Sequence, residues 1–279
     1  MKLSEFIGNL GSSVKSVAKV ALQSRRVACA IGDKSGDALV ILGNGPSLND
    51  TIAEHGEVLA RYPLLAVNFA ANAPQFRQLK PRYYLLADPH FFNKPDDANV
   101  GRLLTSLDSV DWPMTLFVPA TVAEKSLPFK NPLLVVKRFN AVGAEGYGWL
   151  TRWLFDRHLA MPRPRNVLIP SIMVGIWLGF KNIYITGADH SWLRTLSVND
   201  NNEVVSVQPH FYREDEREKA RVVSEYKGYR LHQIIYSFYV AFRAYFDIAT
   251  YARTCGTNIY NATPGSFIDA FPRRPLPGN

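Results

Sequence analysis

Ala38–Asp50 reads ALVILGNGPSLND. Its first residues, Ala38–Leu42, run without a polar interruption into Gly43-Asn44-Gly45-Pro46-Ser47. A short unbroken apolar run closed by glycine is the pattern of a strand buried on both faces, as parallel sheets use. Gly43 and Gly45 allow a tight turn and a close approach of backbone to ligand, Pro46 fixes its own φ, and Ser47 is placed to cap the helix suggested by NDTIAEHGEVLARY. An anion fits such a helix start, where unpaired N–H groups and the helix dipole favour negative charge. The pattern is neither Gly-x-Gly-x-x-Gly nor a P-loop, since no Gly-Lys-Ser/Thr follows. The glycines alone therefore suit a plain strand-to-helix turn equally well.

Similar apolar runs recur outward from this one: LLAVNFA, YYLLAD, MTLFVPA, PLLVVKRF, RNVLIPS and KNIYITGAD, with helical stretches between them. That alternation predicts an α/β fold, a doubly wound or Rossmann-like and mostly parallel sheet with helices on both faces. Ligand groups are then expected on the loops leaving the carboxyl ends of the strands. The 279 residues can bury one large core. Prolines and glycines are scattered between elements, so we read residues 35–279 as one domain preceded by a helical segment, 1–34. The stretch SVNDNNEVVSVQPHFYREDEREKARVV begins with turn-formers, contains one short apolar alternation and ends in a charged run, the composition of a mobile lid over a site, which we place at about residues 192–227. The following GYRLHQIIYSFYVAFRAYFDIATYARTCG reads as a long helix whose aromatic face is core, with Gly256 as its C-cap. The terminal NATPGSFIDAFPRRPLPGN reads as a loop, one turn of helix and a Pro-rich tail.

The formal charge of +8 and pI near 9.4 are spread through core-forming segments, with no basic stripe interleaved with aromatics. Nucleic acid is not expected as a partner. The bias fits anionic small ligands or anionic lipid. Residues 13–26, SVKSVAKVALQSRR, form a basic amphipathic pattern that suits a helix lying on a membrane surface or one packed on its own domain. Lys2, Lys15, Lys19, Arg25 and Arg26 accompany its apolar face. No stretch is long and apolar enough to span a bilayer, and the opening lacks the compact apolar block and cleavage site of a signal peptide. We expect a cytoplasmic protein with peripheral membrane contact through this helix. Cys29 and Cys255 are far apart with no Cys-x-x-Cys, so buried thiols are expected rather than a zinc site or disulfide.

The polar residues at the ends of these runs form a consistent set. Asn44 and Ser47 follow the first, Asn68 the next, Asp88 and His90 the third, and Ser171, Gly187, Asp189 and His190 the later ones. They are mostly neutral hydrogen-bonders, suited to ribose, base and sugar hydroxyls. Asp88 and Asp189 lack a metal-ligand spacing, so no metal is expected. His55, His158 and His232 fall within helical patterns and read as structural.

ILGNGPSLND, AVNFAANAPQF, YYLLADPHFF, PSIMVGIWLGFKNIYITGADHSW and NATPGSFIDAF resemble, in order and over roughly residues 36–272, the motif blocks of the bacterial sialyltransferases of glycosyltransferase family 42. They also resemble a related family that includes motility-associated nonulosonate transferases and pterin diphosphokinase-like proteins. The resemblance implies that the first turn holds a donor nucleotide, with Asn44, Gly45 and Ser47 near its ribose and phosphates. It implies that Asn68 faces the donor and that Ser171 contacts nucleotide or sugar; Asp88, Gly187 and Asp189 are assigned to the same donor site from their places at the strand ends. The family's catalytic base is a histidine on the loop after the Gly-x-Asp block, which makes His210 in QPHFYRED the candidate, with Tyr212 as hydroxyl donor to the leaving phosphate. His190 is the second candidate base. It stands, with Ser191 and Trp192, where the sialyltransferases carry aromatic residues including a phosphate-binding tyrosine. Asp88 and His90 likewise replace small or neutral residues. The implied activity is inverting, metal-independent transfer of sialic acid or a related nonulosonate from a CMP-activated donor to a surface glycan or glycolipid. Two alternatives stay open: a pterin-type diphosphokinase using ATP, with Asp88 and Asp189 holding magnesium, and a non-catalytic nucleotide-binding protein.

Overall fold

The computed structural model describes residues 3–27, 36–94, 96–205 and 228–278. The candidate base His210, Tyr212, Lys2, Cys29 and most of the expected lid lie outside them.

Ala38–Leu42 (β1) is an interior strand of a seven-stranded sheet. Its companions are β2 (Leu64–Val67), β3 (Tyr83–Leu85), β4 (Met114–Pro119), β5 (Leu134–Phe139), β6 (Asn182–Thr186) and β9 (Asn258–Asn261); the order is β5-β4-β3-β2-β1-β6-β9. Every pair in this sheet is parallel, and β1 is held in register by Val40 opposite Leu64 on one side and Tyr184 on the other. Ser197–Val198 (β7) and Val204–Val205 (β8) form a separate antiparallel pair, matching the short alternation seen in the sequence.

The side-chain period of two divides each central strand between two cores. Leu39, Ile41, Leu65, Val67, Ile183 and Ile185 face α6 (Gly148–Asp156), α7 (Leu168–Trp177) and α8 (Leu231–Thr254). Val40, Leu42, Leu64, Ala66 and Tyr184 face α2 (Ser47–Leu59), the short α3 (Gln75–Leu79) and α5 (Ala98–Asp108). A single-turn helix, α4 (His90–Asn93), follows β3. The doubly wound, α/β expectation therefore holds. α1 (Leu3–Gln23) lies within the expected helical segment 1–34 and docks on the segment before α6.

Several expectations are corrected. RNVLIPS is not a strand: its apolar residues open α7, all of whose residues are buried, so an unbroken apolar run hides helical periodicity. Asn258–Asn261 is an added edge strand, and residues 262–278 form no helical turn. Cys255 is exposed at the end of α8 rather than buried, while Gly256, at φ +69°, closes that helix as expected. The aromatic face of α8 is core at Phe238, Tyr245 and Tyr251, but Tyr236, Tyr239 and Phe246 are exposed. His158 lies just past α6 at φ +54°, its ring against Trp177 at 4.9 Å.

Candidate functional site

The chain leaves β1 toward β2 and returns to β1's other side as β6, so strand order reverses between these two strands. Open α/β sheets take ligands at the carboxyl ends flanking such a reversal. Here the two exit loops are tied together. Gly43 N–H donates to Thr186 O and Gly45 N–H to Gly187 O, both at 2.7 Å. A Cβ on Gly43 would fall on the Gly187 carbonyl, with the carbonyl carbon 2.8 Å away; one on Gly187, already at φ +66°, would lie 2.7 Å from Gly43 O. The close approach that these glycines permit is thus between two loops of the chain itself. The Gly45 N–H, expected near donor phosphates, is already engaged.

Ser47 is the first residue of α2, with Pro46 as N-cap and no side-chain cap. Its hydroxyl donates instead to Asp189 Oδ2 at 2.8 Å, joining the β1 exit to the β6 exit. Behind them the hydroxyls of Thr51 and Thr186 meet at 2.9 Å.

The asparagines gather beside this junction. Asn44 Nδ2 donates to Val67 O at 3.2 Å, which brings it against the end of β2. Asn68 begins a 3-10 turn running to Asn72 and sits at φ +49°, a left-handed conformation that asparagine tolerates. The Tyr84 hydroxyl fixes that turn, donating to Asn68 O at 2.5 Å and accepting from Ala71 N–H at 2.8 Å. Asn44 Oδ1, Asn68 Oδ1, Asn72 Oδ1 and Gln75 Oε1 are all buried without a hydrogen-bond partner. Each such acceptor costs roughly 1–3 kcal/mol while unmatched. The group as a whole offers acceptors, so it suits hydroxyl and amino donors rather than phosphate oxygens. Asn72 and Gln75 were not singled out in the sequence; the four-residue spacing of the asparagines in NFAAN was the available signal.

Past Gly187, the β6 exit is held by the NATPGSFIDAF segment. Ala188 N–H donates to Thr263 Oγ1 at 3.0 Å, Ser266 Oγ to Ala188 O at 2.6 Å, and Phe267 N–H to Asp189 O at 2.9 Å. Arg273 ties the segment down by donating to the carbonyls of Thr263 and Ser266.

His190, at φ +51°, is closed off by Trp192 (ring centroids 4.1 Å apart), Phe242 and Tyr245. Its Nε2 lies 2.6 Å from the Tyr245 hydroxyl, which in turn donates to Asn166 Oδ1 at 3.1 Å. Asn166 Oδ1 can only accept, and also takes the N–H groups of Leu168 and Ile169. The tyrosine proton therefore points at Asn166, and Nε2 carries the proton that His190 donates. Burial pushes His190 down to about 3 and raises Tyr245 above the usual phenol range. In this arrangement His190 is a neutral, covered ring that orients Tyr245. Because its folded pKa lies below the ordinary 6.5, stability should be full above pH 6.5 and fall as the pH drops from 6.5 toward 3, by up to about 1.4 kcal/mol per pH unit. His158, also lowered by burial and only partly offset by Asp156, adds in the same direction. Urea midpoints measured from pH 7.5 to 4.5 should show a shallower slope for His190→Gln. Equal slopes would remove His190 as a cause.

The remaining expected residues are placed apart. Ser171 is not at a strand end: it is fully buried in α7, and its hydroxyl donates to Val167 O at 2.7 Å. Asp88 does follow β3, where Oδ1 accepts from His90 N–H at 2.8 Å; the His90 ring pairs with Asp97 at 3.1 Å. On the β6 side a cavity of about 470 Å³ is lined by Arg165, Asn166, Trp192, Tyr229, Gln233 and Tyr236, with Asn166 Nδ2 buried and unpartnered beside it. Asn166 was missed although an asparagine just ahead of an apolar run is a capping signal.

No protein-family model matches the chain, and no curated protein matches it. Among solved structures, the MAf glycosyltransferase from Magnetospirillum magneticum AMB-1 is similar over 98% of this chain and 39% of its own, at 13% identity and a TM-score of 0.48. The chain thus spans about two fifths of that protein's length.

Proposed function

We propose that the protein is a glycosyltransferase that moves an acidic nonulosonate sugar from a CMP-linked donor to a surface glycan or glycolipid, with inversion and without a metal. The observation that carries this reading is the set of unmatched buried acceptors, Asn44 Oδ1 and Asn68 Oδ1 foremost, beside the reversal point of the sheet. Ribose hydroxyls and the cytosine amino group are donors of the kind these oxygens lack. On the β6 side, Arg165 with the walls formed by Trp192, Tyr229 and Tyr236 suits a carboxylate-bearing sugar ring. The ordered motif blocks of the sialyltransferases support the same assignment. His210 acts as the base that takes the acceptor hydroxyl's proton as the new bond forms.

The test is calorimetry with CMP, UDP, GDP and magnesium-ATP. CMP should bind, and Asn68→Ala should weaken it tenfold or more, because removing one acceptor from a desolvated donor group is worth about 1.4 kcal/mol or more. Tight binding of UDP or ATP with none of CMP would replace the donor assignment; ATP-dependent AMP release would point to diphosphoryl transfer instead.

A further inference from the structure

α1 docks on the domain through Ser13, Ser16 and Ser24, with Val20 alone among its apolar residues packed on the core, and leaves an apolar stripe outside. Ser13 and Ser16 are buried. Ser16 Oγ donates to Glu145 O and accepts from Glu145 N–H, both at 2.8 Å; Ser13 Oγ accepts from Tyr147 N–H at 3.0 Å; Ser24 Oγ donates to Leu159 O at 2.6 Å. Gly146, at φ +121°, makes room for this contact, since a Cβ there would lie 2.7 Å from the Ser13 nitrogen. Hydroxyls, with Val20 among them, thus occupy most of the place that an apolar stripe takes when an amphipathic helix packs on its own domain.

The stripe itself is exposed. Ile7, Leu10, Val14 and Val17, at helical spacings of three and four, are 60, 48, 62 and 49% accessible. Beside it, the Tyr147 ring meets Phe6 at 5.9 Å, and two residues later Trp149 on α6 is 71% accessible. Residues 3–27 carry Lys15, Lys19, Arg25 and Arg26 against the lone carboxylate Glu5. On α6, Arg157 lies 4.3 Å over the exposed Trp153 ring.

We propose that α1, with the start of α6, lies flat in the headgroup region of an anionic bilayer. The Ile7–Val17 stripe enters the acyl boundary, the indoles sit at the interface, and the lysines and arginines meet lipid phosphates. The cationic surround selects an anionic surface. A second copy of the chain offers the stripe no anionic surround to match these cations. Among the described residues no helix is long and apolar enough to cross the bilayer, consistent with an in-plane position for α1. The proposal does not depend on the assigned activity, and its readout is binding alone.

The full chain should sediment with phosphatidylglycerol/phosphatidylcholine vesicles, and much less with phosphatidylcholine alone or in 0.5 M salt. Combined Ile7→Gln, Leu10→Gln, Val14→Gln and Val17→Gln should cut binding tenfold or more at an unchanged melting temperature, since all four side chains are exposed. Lys15→Gln with Lys19→Gln should flatten the salt dependence. Failure of the wild-type chain to sediment, or equal sedimentation of the stripe variant, overturns the proposal. So does a concentration-dependent dimer in ultracentrifugation that the stripe variant abolishes, which would make the stripe a self-association face.

Discussion

His210→Ala is expected to lower transferase turnover about a hundredfold to ten-thousandfold, the range a lost general base produces, while CMP affinity stays within twofold. The asymmetry follows from the separation of tasks proposed above. The donor-facing acceptors belong to Asn44 and Asn68, whereas the base acts on the other substrate and only as the bond forms. His190→Gln is the informative companion, because its amide N–H can still donate to Tyr245 where His190 Nε2 now lies at 2.6 Å. Should His210→Ala keep its turnover while His190→Gln loses it at unchanged affinity, the base is His190, and the ring must leave its position under Trp192 to act.

Gly43→Ala should destabilise the fold by about 3 kcal/mol or more, a large part of a typical domain's stability. The added methyl meets backbone, not a flexible side chain: the Gly187 carbonyl group and the Ala188 nitrogen, the latter 3.2 Å away. Relief requires parting the β1 and β6 exit loops and stretching the bonds from Gly43 N–H and Gly45 N–H. Gly187→Ala should cost a similar amount, since its φ of +66° adds left-handed strain to a mirror-image clash with Gly43 O. Both methyls force open one gap, so the double variant should cost clearly less than the two together. Urea denaturation reads all three; single costs under about 0.5 kcal/mol would mean that the junction is loose.

The sheet was legible where strands are buried on both faces, because Leu39–Leu42 or Leu64–Val67 then read as unbroken apolar runs. The same rule misread RNVLIPS, since a helix buried all round shows no periodicity either; Pro170 in the first turn and Asn166 ahead of it were the local marks of a helix. β9 escaped because its alternation of exposed and buried residues spans only Asn258–Asn261. Asn44, Asn68 and Asp189 could be placed at strand ends because strand ends can be read in sequence. The pairings around them could not be: Ser47 is 142 residues from Asp189, and Thr263 is 75 from Ala188, contacts that only the fold creates. For α1 the amphipathic pattern was legible, but which face docks was not, as that depends on the backbone of residues 145–147 offering hydrogen bonds to serines.

The strand order also sets a sequence of events during synthesis. β1 to β5 are neighbours in both chain and sheet, so this half can assemble as soon as residue 139 has emerged. β6 and β9 arrive later, and β1 must wait for Ile183 and Ile185 to complete its ladder. Throughout that interval Leu39–Leu42 present a free row of N–H and C=O groups on a strand with no charged residue to deter pairing. A nascent or partly refolded chain is therefore open to edge-to-edge association at β1, and the late docking of β6 is what ends that exposure.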